Sequence, residues 1–138
     1  VMHPGDPDDL NGAGGDILER VRAFFEKKTT EAEQRGVNKN RLCFDPGIGF
    51  GKTNEENFAL IANPEKICVP GTALLMAASR KRVIGAVCGN PPFEDRMAGT
   101  VAAHTASVLF GADMVRAHDT FEAVQAARVA DAIKQFRK

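Results

Sequence analysis

The chain is 138 residues long, the size of one domain, and its 43% hydrophobic and 26% charged residues are the balance of an ordinary globular protein. Eighteen basic side chains meet eighteen acidic ones, so no net field draws the chain to nucleic acid or to an anionic membrane. No apolar run approaches the roughly 18 residues of a membrane span, and the three scattered cysteines, Cys43, Cys68 and Cys88, read as reduced, partly buried thiols in a reducing compartment, not a disulfide framework or zinc site.

The chain opens on Val1–Met2, an apolar stub with neither an initiator Met nor a charged-then-apolar leader, so a piece of something longer is expected. The Gly-, Pro- and Asp-rich "HPGDPDDLNGAGG" that follows lies where an active-site loop would lie. A helix is predicted from about Asp16 to Arg35. "DILE" sets Asp16 at the N-cap and Glu19 at N3, with Ile17, Val21, Phe24 and Phe25 on one face and Gly36 as the stop. Leu42–Phe44 reads as a short buried strand, and "TNEE" then caps a helix with Thr53 and Glu56. Ala73–Ala77 and Asp113–Arg116 are further aliphatic strands, separated by an apolar helical stretch around 93–110. "DTFE" starts a last helix with Val124, Ala127, Ala130 and Ile133 on one stripe. This β-α alternation predicts an α/β fold with a parallel sheet.

The stretch "LCFDPGIGFGKTNEEN" invites comparison with a phosphate-binding loop, G-x-x-x-x-G-K-[ST]. Counting back from Lys52, Gly51 fits, but Pro46 stands where the first glycine belongs and Gly47 comes one residue late. Proline has no N–H to offer phosphate, which disfavours that reading. A plain strand-to-helix turn is the other alternative. What the turn does present is Asp45, a carboxylate at the carboxyl end of a strand, where open sheets and barrels gather ligand groups. Phe50 would stand at the tip of the glycine turn.

Other strand ends deliver Ser79, Arg80 and Lys81 in "LLMAASRK", and Arg116, His118 and Asp119 in "MVRAHD". Arg116 and His118 are two apart, so an extended segment projects both to one face, and both can make charge-assisted hydrogen bonds to an anion. In a (β/α)₈ barrel the loops after strands seven and eight are the usual phosphate site. Each feature has a plainer alternative: a local Arg116–Asp119 salt bridge, a solvated turn at "SRK", an Asx turn at Asp45. His104, inside an apolar helix, reads as a packed core histidine.

Together, "DPGIGFGKTNEEN", "ASRKRVIGAV", "EDRMAGTVAAHTASVLFGADMVRAHD" and "EAVQAARVADAI" resemble dihydropteroate synthase, in that family's order and spacing. The resemblance implies a TIM (β/α)₈ barrel, of which residues 1–138 would be the C-terminal half, from the end of strand five to helix eight. It implies that p-aminobenzoate displaces pyrophosphate from 6-hydroxymethyl-7,8-dihydropterin pyrophosphate to give 7,8-dihydropteroate, with Mg²⁺ assisting. By resemblance, Asp45, Lys81 and Met2 would contact the pterin, Ser79, Phe50 and Lys81 the p-aminobenzoate, and Arg116, Ala117 and His118 the pyrophosphate. Lys81, Arg116 and His118 would be catalytic. The Asn associated with Mg²⁺ would lie in the N-terminal half, so no metal ligand is expected here.

The resemblance further implies a sulfonamide target and a homodimer through late helices, with the small residues of 98–110 as a contact face. A plant-like source would imply an organelle instead of the cytoplasm. Two departures stand out: "PGDPDD" follows "VMH" where the family continues Met-Gln-Gly, and Ala77 occupies a position where glycine is common. A methyltetrahydrofolate-binding methyltransferase barrel and a non-catalytic half-barrel are the rival readings. Alone, this chain is expected to be inactive and prone to association.

Overall fold

The computed structural model describes residues 1–5 and 15–137. Most of the Gly/Pro/Asp-rich loop expected to border the site lies outside these residues. The elements run α1 (Ile17–Gln34), β1 (Cys43–Phe44), α2 (Asn54–Ala62), α3 (Pro64–Ile67), β2 (Ala73–Met76), α4 (Arg82–Val87), α5 (Met97–Leu109), β3 (Met114–Val115) and α6 (Thr120–Lys134), with 3₁₀ turns at Lys39–Arg41 and Phe93–Arg96. The predicted 93–110 helix is thus split, its first turn wound as 3₁₀.

The sheet is parallel and in chain order. β1 pairs with β2 through Cys43↔Ala73 and Phe44↔Leu74, and β2 with β3 through Leu75↔Met114 and Met76↔Val115. Before β1, Met2 bridges Asp45 in parallel, and His3 N–H donates to the Asp45 carbonyl at 2.8 Å. The strands are shorter than the predicted spans, yet pairing bonds continue past them. Ala73 N–H reaches the Leu42 carbonyl at 3.0 Å and Arg116 N–H the Met76 carbonyl at 3.1 Å.

Local chemistry explains the helix starts. Asp16 caps α1 by accepting from Leu18 N–H at 2.9 Å. Thr53 and Glu56 form the full reciprocal box on α2. The other oxygen of Glu56 pairs with Arg20 at 2.5 Å, so one carboxylate ties the start of α2 to α1. At the end of α1, Gly36 takes a φ of +80°, a left-handed stop that costs glycine nothing.

The core lies between sheet and helices. Phe25 stacks on Phe44 with centroids 4.6 Å apart, and Val21, Ile48, Leu60, Ile67, Leu74 and Met76 are fully buried around them. Each such side chain contributes about 1.5–3 kcal/mol by leaving water. His104 is buried in α5 as expected for a core histidine, and burial pushes its pKa down. Close helix approach is set by glycines: a Cβ on Gly99 would lie 2.4 Å from Ile84 of α4, and one on Gly85 2.9 Å from Arg96 Nε.

α6 keeps only part of the predicted stripe, Ala130. Its buried residues are Ala126 and Ala130, while Val124 and Ile133 are 44% and 47% exposed. The helix lies on α5 through small side chains, and its larger apolar residues point elsewhere. The small residues expected to form a subunit contact on α5 are therefore in part used within the chain: Thr100, Ala103, Ser107 and Val108 are buried. Among the described residues, no helix is long and apolar enough to cross a membrane.

Candidate functional site

Backbone turns at the carboxyl ends of β1, β2 and β3 carry the polar groups. After β1, Gly47 takes a φ of +71°, and an added Cβ would meet the His3 carbonyl oxygen at 2.2 Å, so only glycine fits. Its N–H donates to Asp45 Oδ1 at 2.8 Å, the Asx turn foreseen as the plain reading. A carboxylate has further lone pairs to give a ligand. Lys52 does not behave as a phosphate-loop lysine. Its side chain turns inward, only 7% of the residue is exposed, and Nζ donates to the carbonyls of Gly47 at 3.1 Å and Phe50 at 3.0 Å. Burial lowers its pKa to about 8, against the opposing pull of Glu56 and Asp45. Asn57 completes the staple, accepting from Gly49 N–H at 2.7 Å and donating to the Thr53 carbonyl at 2.7 Å.

After β2 the chain makes the "SRK" turn, which is not a solvated one. Ser79 is buried, and its Oγ lies 2.8 Å from His118 Nδ1 while accepting from His118 N–H at 3.1 Å. Lys81 donates to the Ile48 carbonyl and sits 4.7 Å from the Phe50 ring centroid. Burial holds its pKa below the usual lysine range; Asp45 pulls it up and Arg116 pushes it further down. Arg80 points away and forms a two-pronged pair with Asp119, at 2.9 and 2.5 Å. That corrects the salt bridge considered for Arg116, because Asp119 is already engaged.

After β3, Arg116, Ala117 and His118 join Ala77, Ser79 and Lys81 around one cavity of about 80 Å³. Lys81 also opens on an adjoining hollow of about 260 Å³ lined in part by Phe50, Lys52, Asn57 and Arg82. Asp45 and Met2 lie one strand over, bridged to each other, and line neither space. The loops thus bring Ser79, Lys81, Arg116, Ala117 and His118 to one cavity, with Phe50 beside it. Such a place suits an anionic group held by Arg116 and His118, next to a flat ring. Among the described residues, no group of three or more His, Cys, Asp or Glu gathers as a metal site.

Sequence reasoning missed the inward turn of Lys52, the Ser79–His118 bond and Phe93, whose ring meets His118 edge-on at 5.2 Å. The first had at most a signal in Lys52 itself, a lysine between glycine loop and helix cap in a motif that does not fit phosphate binding. The others join residues far apart in the chain and have none.

Comparison with known proteins gives concordant results. The family described as "Pterin binding enzyme" matches residues 1–118. The chain is 37% identical to a dihydropteroate synthase of Synechocystis sp. over 119 residues, 86% of this chain and 41% of that protein. It superposes on a solved Xanthomonas albilineans dihydropteroate synthase with 4-aminobenzoic acid, at TM-score 0.88 and 37% identity, covering 100% of this chain and 49% of that one. A second structure of the Xanthomonas albilineans protein, in complex with 7,8-dihydropteroate, matches at TM-score 0.88 and 36% identity, over 100% and 50%. The fold is therefore the α/β fold of those structures. The chain spans about half or less of the length of the relatives it matches.

Proposed function

Since the chain belongs to the family of pterin binding enzymes, we propose that it is the C-terminal half of a dihydropteroate synthase barrel, a single domain completed by an N-terminal half. The observation that carries this reading is the convergence of Ser79, Lys81, Arg116 and His118 on one cavity at the carboxyl ends of parallel strands. Support for the half-barrel comes from a parallel sheet in chain order with β3 at one edge, and from the coverage of relatives.

In the proposed reaction, the amine nitrogen of p-aminobenzoate bonds to the pterin methylene carbon as the C–O bond to pyrophosphate breaks. The nitrogen then releases a proton to solvent. Asp45 accepts hydrogen bonds from the pterin N–H edge, with Met2 alongside. Lys81 orients the ring with its charge, and Ser79 and Phe50 border the p-aminobenzoate. Arg116, the Ala117 backbone and His118 bind the pyrophosphate, and their contacts strengthen as charge gathers on the leaving oxygen. Orientation supplies much of the rate, because a neutral aniline needs no strong base. Ser79 holds His118 Nδ1, so the imidazole enters that contact in one orientation. Mg²⁺ would neutralise leaving-group charge; among the described residues no cluster of His, Cys, Asp or Glu fits a metal centre, and no step above runs through it. The reading also carries homodimerisation, sulfonamide sensitivity and a cytoplasmic setting.

A methyltransferase barrel acting on methyltetrahydrofolate would have no use for the Arg116–His118 pair. Isothermal titration of the complete protein separates the two. Mg²⁺-dependent binding of dihydropterin pyrophosphate, with pyrophosphate released only when p-aminobenzoate is added, is the expected result. Binding of methyltetrahydrofolate without turnover would overturn the proposal.

A further inference from the structure

Arg80 has a φ of +53°, and among the described residues the only other non-glycine in that region is Asn90. Asparagine tolerates the left-handed conformation; arginine has no such ease, so something must hold it there. Its backbone is gripped on both sides. The N–H donates to Thr100 Oγ1 at 2.8 Å, and the carbonyl accepts from Arg96 at 3.2 Å. Thr100 is 3% exposed, and its own hydroxyl proton goes to the Arg96 carbonyl at 2.8 Å, which aims its lone pairs at Arg80. Arg96 is fixed in turn by Nε donating to the Pro91 carbonyl at 3.0 Å.

The strained residue matters because of its neighbours. With Arg80 left-handed, Ser79 and Lys81 line the same cavity. The Arg80 side chain meanwhile grips Asp119, next to His118, and lies 5.2 Å from the Phe93 ring that abuts His118. One residue therefore sets the positions of Lys81 by its backbone and of His118 through Ser79 and Asp119. We propose that Thr100 and Arg96, neither of which lines the cavity, are positioning residues that hold Arg80 left-handed and so set Lys81 and His118 for the reaction. This rests on the transferase reading above. It gives a task to "EDRMAGT", a motif to which the substrate contacts assign none.

The test is a double-mutant cycle in the full-length protein. Thr100→Val removes the acceptor at nearly constant volume; Arg80→Gly relieves the left-handed strain and also removes the Asp119 pair, so the cycle compares only the two losses caused by Thr100→Val. We expect Thr100→Val to lower kcat about 30-fold with KM for both substrates changed less than about threefold. Thr100→Ser should restore kcat to within about threefold. In the Arg80→Gly background the same Thr100→Val change should cost no more than about threefold. Equal losses in both backgrounds, or a lowered Tm with kcat per folded molecule unchanged, would overturn the proposal. If the wild-type protein shows no turnover, the transferase reading fails, and the brace is judged on the 138-residue chain by its imidazole ¹⁵N resonances. Thr100→Val, but not Thr100→Ser, should then move the His118 Nδ1 signal; an unmoved signal defeats the brace by itself.

Discussion

The two flanks of the sheet are unequally finished. Beside β1, α1 seats Ile17, Val21 and Phe25 at 6%, 0% and 0% exposure, and Phe25 stacks directly on Phe44. Beside β3, α6 buries only Ala126 and Ala130, leaving Phe121 71% exposed and an apolar groove of about 450 Å³ alongside Val115 and Val124. The lesson is a division of labour. Stability resides on the first flank, whereas the second keeps apolar surface uncovered, and the cationic cavity opens from its strand end.

The most direct way to break this contrast is to truncate matched phenylalanines. Phe25→Ala should destabilise by about 3–5 kcal/mol, enough to prevent folding of a marginal chain, while Phe121→Ala should change urea unfolding by less than about 0.5 kcal/mol. Comparable losses would erase the distinction. Next in size is a pH effect on the β1 flank. Lys52 titrates near 8 when folded and near 10.5 ordinarily. Between those values the unfolded chain keeps a proton that the folded one has released, so stability rises with pH there; below 8 the burial penalty is felt in full. Wild type should gain about 1–3 kcal/mol relative to Lys52→Met between pH 8 and 10.5, measured by denaturant titration at each pH. A flat difference would mean that the ammonium is not buried. On the β3 flank, Val124→Lys should reduce self-association of the isolated chain in light scattering by severalfold, with folding unchanged. The smallest effect belongs to the cavity wall: Ala77→Gly should shift sulfonamide inhibition constants by only a few-fold, and equal constants would deny Ala77 any part in the pocket.

How much of this was legible follows from range. The Thr53–Glu56 box and the Gly36 stop obey rules that act within a turn of chain, and the sequence displays them openly. The strands announced themselves through short apolar stretches without polar alternation, clearest in Ala73–Ala77 and shortest in the Met114–Val115 pair between Asp113 and Arg116. The α6 face was only partly placed because an alanine-rich helix offers little contrast between sides: the stripe rightly included the buried Ala130 but also took in the exposed Val124 and Ile133 and passed over Ala126. Candidate site residues could be named from strand ends, but not their partners. Ser79 to His118 and Arg80 to Asp119 each span 39 positions, and only folding reveals which acid meets which base.

The bare faces of Gly99 and Gly85 let α4 approach α5 on one side and the 3₁₀ turn at Phe93–Arg96 on the other. A methyl on residue 85 would press on the Arg96 guanidinium group, whose far side supports the Arg80 carbonyl. A change that touches no ligand is thereby transmitted to the chemistry by crowding alone, and variants altered in turnover should be sought at this seam as well as in the pocket.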